Sequence, residues 1–162
     1  MSTIELPFLA GVDPGGEPVF ENLIVTIVDP NDYQVQLTKS PLLIRNLAAS
    51  DKIKLIDPAS AKYELLQRSG NLAIRIFRKH QLDTLEEYLT PAMEKLDAVL
   101  DVHSERALVY SIHYSIGFSI IEELLNRASA TFPDTVWYYG NVYDPEDGAT
   151  PLEWWLEFDA EN

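Results

Sequence analysis

Leu96-Asp97-Ala98-Val99-Leu100-Asp101-Val102, then His103-Ser104-Glu105-Arg106, then Ala107-Leu108-Val109-Tyr110-Ser111-Ile112-His113, is the stretch on which the fold turns. If Leu96 to Val102 prolongs the helix before it, the second half of the chain reads β-α-β-α-β. If it is a strand, the order becomes β-α-β-β-α-β. Val99, Asp101 and Val102 are weak helix formers, and a four-residue connection is an ordinary hairpin loop. The stretch therefore predicts a hairpin.

Upstream, Leu72-Ala73-Ile74-Arg75-Ile76-Phe77 reads as a strand with Leu72, Ile74 and Ile76 on one face. A helix follows. Asp83 and Glu86 have capping-box spacing, and Leu85, Tyr88, Leu89 and Met93 fall at helical intervals, with Pro91 expected to kink or restart the helix. Downstream, Ser119 and Glu122 form a second capping-box pattern, opening a helix with Ile120, Ile121, Leu124, Leu125 and Ala128 inward. Thr135 to Tyr143 reads as a strand that stops at Asp144-Pro145, and Glu153 to Phe158 as a last short strand. Residues 71–143 thus predict the ferredoxin-like βαββαβ sandwich, with both helices on one face of an antiparallel sheet.

The N-terminal part has a different texture. Asn22 to Val28, Tyr33 to Leu37, Lys52 to Ile56 and Tyr63 to Leu66 are short β-type runs, parted by Asp29-Pro30-Asn31-Asp32 and Asp57-Pro58. They predict a small sheet or partial barrel. Gly11 to Pro18 is turn-rich, and residues 1–18 read as a flexible arm. The expected organisation is α+β: the arm, a β subdomain over 19–68, and a ferredoxin-like subdomain over 71–162 with an acidic C-terminal strand.

Charge is distributed unevenly along the chain. Residues 1–38 hold no Lys or Arg and carry Glu5, Asp13, Glu17, Glu21, Asp29 and Asp32. Residues 128–162 again lack Lys and Arg and carry Asp134, Asp144, Glu146, Asp147, Glu153, Glu157, Asp159 and Glu161. The middle is neutral, so the net charge of -14 resides at the two ends. A sequence pI near 4.4 argues against nucleic acid or anionic lipid as a partner, because phosphate contacts need clustered Lys and Arg. The absence of cysteine excludes disulfides, thiol nucleophiles and thiolate metal sites, and suits a cytoplasmic setting. No secretory signal pattern or membrane-length apolar run is legible.

Tyr33-Gln34-Val35-Gln36-Leu37-Thr38-Lys39-Ser40-Pro41-Leu42-Leu43, followed by Asp51-Lys52-Ile53-Lys54-Leu55, resembles a bacterial domain-of-unknown-function family. Its members carry a Gly-Asp turn before the second of these strands and later a Ser-Gly-His turn. Here Ala49-Ser50-Asp51 and Arg68-Ser69-Gly70-Asn71 stand at those places, with Asn71 where the family has His. The resemblance covers roughly residues 20–143 and implies a ferredoxin-like second half. Val136 to Asp144 is also similar to the last strand of the acidic ferredoxin-like proteins that inhibit RNase E, which implies a binding role. Neither resemblance implies a catalytic residue.

Catalytic patterns are weak. His80, His103 and His113 have no carboxylate at a spacing that fixes them locally, and His113 alternates onto the face away from the helices. Asp144-Pro145-Glu146-Asp147-Gly148 reads as a solvated turn rather than a Ca²⁺ loop. The glycines open no phosphate-binding loop, and Ser111 and Ser115 sit in no nucleophile elbow. No cofactor is implied.

What remains is acid beside aromatic residues. In the strand expected over Thr135 to Tyr143, Trp137, Tyr139 and Tyr143 share one face with Asn141, and Tyr138 and Val142 are assigned to the core. Trp154 and Trp155, on a strand, would point to opposite faces. The expected partner-binding set is Asp134, Trp137, Tyr139, Tyr143, Asp144, Glu146, Asp147, Glu153, Trp154, Trp155 and Glu157. The acids Asp144, Glu146, Asp147 and Glu153 would steer a basic partner protein, and Trp137, Trp154 or Trp155 would anchor it. The function expected is a non-enzymatic inhibitor, a bacterial immunity protein of a toxin–antitoxin type pair, neutralising a secreted toxin (a nuclease or similar) as a monomer or weak dimer. The rivals are a regulator of an endogenous ribonuclease, a small enzyme using His113 in the cleft between the two halves, and a plain structural subunit.

Overall fold

A computed structural model of the chain describes residues 2–57 and 62–161, with 159–161 described by backbone alone. Pro58 of the expected Asp57-Pro58 turn, and the side chains of Asp159 and Glu161, lie outside the described residues. The elements are β1 (Thr3–Val12), β2 (Pro18–Asp29), β3 (Gln34–Leu37), β4 (Lys52–Asp57), β5 (Lys62–Gln67), β6 (Asn71–Phe77), α1 (Leu82–Glu94), β7 (Val99–His103), β8 (Ala107–His113), α2 (Phe118–Thr131), β9 (Val136–Tyr139) and α3 (Trp155–Glu161). The fold is α+β, with a five-stranded sheet of order β1-β2-β3-β4-β5 and a four-stranded sheet of order β7-β8-β6-β9. Every pairing between these strands is antiparallel.

The hairpin of β7 and β8 forms as the sequence predicts, pairing Leu100 with Tyr110 and His103 with Leu108. In the four-stranded sheet, Leu72, Ile74 and Ile76 of β6 and Leu108, Tyr110 and Ile112 of β8 face α1 and α2. They meet Leu85, Leu89 and Met93 from one helix and Ile121, Leu125 and Ala128 from the other. Each large aliphatic side chain buried there contributes about 1.5–3 kcal/mol. Ile120, expected inward, is exposed instead. No helix among the described residues is long and apolar enough to cross a membrane.

Several expectations need correction. Residues 3–12 are no loose arm but β1, the outer strand of a long hairpin in which Leu6 pairs with Leu23 and Leu9 with Phe20. Leu6, Phe8 and Ala10 point inward, and Phe8 meets the ring of Tyr63 at 5.8 Å, so the five-stranded sheet curls enough to bring side chains of its two edge strands together. Pro7 is tolerated because an edge strand has no neighbour on its outer side to receive an N–H.

Neither capping box forms. Gln81, in the left-handed region, caps α1, and Gly117 caps α2, both without side-chain hydrogen bonds. Asp83 holds His103 instead, at 2.9 Å, while Phe118 enters the first turn of α2 to pack on Tyr139 and Trp155. α1 runs through Pro91 to Glu94 as one helix.

The strand expected over Thr135 to Tyr143 is shorter, ending at Tyr139. Asn141 takes over the role of a ladder residue with its side chain, accepting from Ala73 N–H and donating to the Asn71 carbonyl, both at 2.9 Å. Finally, 153–158 is not a strand, because Trp155–Glu161 is helical.

Candidate functional site

The C-terminal stretch is held by Trp154. Its indole N–H donates to the Asn141 carbonyl at 2.8 Å, Arg68 lies over its ring, and Tyr114 and Phe158 flank it edge-on. At 6% exposure it is part of the core and no anchor for a partner. Trp155, one residue into α3, is half-buried against Phe118. Trp137 is also half-buried, donating to the Asn126 side chain at 3.2 Å.

The phase of β9 is the reverse of the one expected. Trp137 and Tyr139 face α2, and Tyr139 is buried; Tyr138 lies on the other face, 40% exposed and stacked on Phe77 at 5.7 Å. Tyr143, beyond the strand end, is exposed, and Val142 is buried. The aromatic row therefore does not exist as one surface.

The acids divide into three groups. Asp134 sits at the far end of the four-stranded sheet, lining a cavity with Arg78, Lys79, His80 and Arg106. Asp144 and Asp147 brace their own loop. Asp144 accepts from the Glu146 N–H, and Asp147 accepts from the Ala149 and Thr150 N–H groups and the Thr150 hydroxyl, which holds its pKa down to about 2. Glu146, Glu153 and Glu157 are exposed with no cation in ion-pair contact among the described residues; Glu157 acts on Arg68 only through its field. Tyr143, Asp144, Glu146, Asp147, Glu153, Trp155 and Glu157 thus share one stretch of surface chain, while Asp134, Trp137, Tyr139 and Trp154 lie apart from it.

The two sheets meet through the loop of residues 38–51, a polar seam that sequence reasoning missed. Ser40 donates its N–H to Asp101 at 2.8 Å, shares a 2.6 Å hydroxyl contact with Ser111, and accepts from Ala49 N–H; Ser111 in turn donates to Asp101. Asp51 accepts from Ala48 N–H, Ser69 N–H and the Ser69 hydroxyl. Burial pushes the carboxyls of Asp51 and Asp101 above their ordinary range, against the pull of these donors. Such donors are what a buried carboxylate requires.

His113 is exposed and caps a short turn, its Nδ1 meeting the Ser115 hydroxyl at 2.7 Å. Its ring packs over Gly70, where a Cβ would fall 2.5 Å from Nε2. Among the described residues no group of three or more His, Asp or Glu is arranged to hold a metal ion. Arg75, on the face of β6 away from the helices, is buried beneath the 38–51 loop. Its signal in the sequence was a charge inside an otherwise apolar strand.

The model of a domain of unknown function, DUF4265, matches residues 21–132, and the chain belongs to that family. The resemblance to a domain-of-unknown-function family holds at that level. No curated protein matches the chain. Among solved structures, a hypothetical protein from Neisseria gonorrhoeae is similar, with a TM-score of 0.62 and 20% identity over 86% of this chain and 93% of that one. At that identity the likeness is one of fold.

Proposed function

We propose that this chain is a protein-binding module that neutralises a basic partner by occlusion and performs no chemistry of its own. Its most specific form is a bacterial cytoplasmic immunity protein against a secreted toxin, a nuclease or a similar enzyme. The carrying observation is the surface between Tyr143 and Glu157. Glu146, Glu153 and Glu157 stand there without ion-pair partners among the described residues, on a backbone pinned by Trp154. Tyr143, Trp155 and Leu156, the last 52% exposed, supply apolar area beside them. Charge of one sign steers a cationic partner, and a few aromatic or aliphatic contacts slow its release. The anchor in this reading is Trp155 with Tyr143, not Trp154.

We also read β6 to β9 as a ferredoxin-like unit. The order β7-β8-β6-β9, the uniformly antiparallel pairing and the placement of α1 and α2 against one face support it.

The test is co-expression with the toxin encoded in the adjacent reading frame. Stoichiometric block of its activity, with protection of the cell, supports the proposal. Unimpeded toxin activity in the presence of excess folded protein contradicts it. A partner encoded elsewhere in the host and acting on its own RNA makes the chain a ribonuclease regulator using the same surface.

A further inference from the structure

The face of the four-stranded sheet that turns away from α1 and α2 is only partly covered. The 38–51 loop bonds there to Asp101, Ser111 and Arg75, and to Gly140 just beyond β9. Phe77, at the end of β6, pairs with Val136 of β9 and with Ala107 of β8, which brings their side chains together on the same face. Val136 is 59% exposed there. Tyr138 stacks on the Phe77 ring at 5.7 Å with an interplanar angle of 16°. The rest of that ring, with Val136, forms the apolar floor of a cavity of about 630 Å³.

The walls of this cavity are cationic. Arg78, Lys79 and Arg106 line it, and the Arg78 N–H donates to the Arg106 carbonyl at 3.1 Å, which sets the two arginines side by side. Like charges on neighbouring strands repel. No ion pair among the described residues includes any of the three. The Arg78 guanidinium is fixed by neutral partners alone, donating to the carbonyls of His80 at 2.6 Å and Pro133 at 3.3 Å over the ring of Phe132. Lys79 and Arg106 are exposed at the rim. Asp134 is the one carboxylate in the lining, so three cations face one acid in a chain whose net charge is -14. The volume lies in the range of small-molecule sites, roughly 300–1,000 Å³.

We propose that this cavity binds a nucleoside monophosphate, its base against Phe77 and Val136 and its phosphate on Lys79 and Arg106. Aromatic side chains take bases by stacking, and charge-assisted hydrogen bonds hold the phosphate. The fixed charge of Arg78 adds to their field. A net charge of -14 opposes a strand carrying many phosphates and favours a ligand with one. The site shares no residue with the surface between Tyr143 and Glu157, so it stands or falls separately from the proposed function.

The experiment is a titration of the full chain with AMP, followed by amide NMR shifts, with adenosine, ribose 5-phosphate and a short oligoadenylate as comparison probes. AMP is expected to move the Phe77, Lys79, Arg106 and Val136 amides with a Kd of about 1 mM or tighter. Adenosine, lacking the phosphate, and ribose 5-phosphate, lacking the base, should each bind at least about tenfold more weakly. Lys79→Ala and Arg106→Ala, at exposed positions that leave the fold intact, should each weaken AMP about tenfold, Asp134→Asn should tighten it, and Lys95→Ala, outside the cavity, should bind like the wild type. The proposal is overturned by an absence of shifts up to roughly 10 mM AMP, by adenosine or ribose 5-phosphate matching AMP, or by oligoadenylate binding more tightly than AMP. It is equally overturned if Lys79→Ala and Arg106→Ala bind like the wild type, or if Lys95→Ala weakens AMP as much as they do.

Discussion

The carboxylate of Asp51 accepts the Ser69 backbone N–H at 2.8 Å and the Ser69 hydroxyl at 3.0 Å, joining the end of the 38–51 loop to the turn before β6. The two positions that carried the family resemblance, 18 residues apart in the chain, are therefore one structural joint. Asp51→Ala leaves the N–H groups of Ala48 and Ser69 buried without an acceptor and should cost about 3 kcal/mol in urea unfolding. Ser69→Ala keeps the backbone bond and should cost only about 1 kcal/mol.

Acidity is expected to stabilise this joint and its neighbour. Asp51 and Asp101 titrate higher in the folded protein than in the unfolded chain, where a carboxyl titrates near about 3.9. Above that value the unfolded chain releases protons that the folded protein retains, so stability falls as pH rises through the window up to the folded values. Urea midpoints should be higher near about pH 5 than near about pH 7.5. Relief of self-repulsion at a net charge of -14 acts in the same direction. Asp101→Asn keeps an acceptor for Ser40 and Ser111 and should flatten the pH slope relative to wild type, which isolates the carboxyl from the overall charge.

The two adjacent tryptophans should separate cleanly by mutation. Trp154→Ala removes a core side chain and the indole bond to Asn141, and is expected to cost about 3–5 kcal/mol. Trp155→Ala should cost about 1–2 kcal/mol, because the ring is only half-buried, and should weaken partner binding far more than stability. Equal losses of stability at both positions would remove Trp155 as an anchor. Denaturant unfolding set beside binding affinity distinguishes these outcomes.

Gly70 has a positive φ of 96° and His113 where its Cβ would be, so Gly70→Ala should destabilise by about 2 kcal/mol or more. Gly117→Ala shares the positive φ but meets nothing closer than 4.0 Å, and should cost less. Thermal melts of the pair measure the contribution of the His113 contact.

The parts of this fold that declare themselves in sequence are those with a contrast between apolar and polar positions. Leu72, Ile74 and Ile76, or Leu108, Tyr110 and Ile112, name their buried face outright. Val136-Trp137-Tyr138-Tyr139 has no such contrast, and its phase is set by β6, where Arg75 pairs with Tyr138 and Ile76 with Trp137. Trp154-Trp155 carries strand propensity, yet Trp154 and Phe158, one helical turn apart, close on Tyr114 and make the segment helical. The turn-rich stretch from Gly11 to Pro18 made residues 1–12 read as an arm, whereas it is the turn of the β1–β2 hairpin. The burial of Asp51, Asp101 and Arg75 is not legible locally, since burial of a charge depends on donors and acceptors brought from distant segments.

The most direct measurement is the association rate of the captured partner with wild-type protein and with a variant carrying Glu146→Gln, Glu153→Gln and Glu157→Gln, across a range of salt. The account predicts a cationic partner whose association with the wild type slows steeply as salt rises, while the variant associates slowly at every salt concentration and folds normally. Equal rates for the two proteins, or a wild-type rate indifferent to salt, would contradict it.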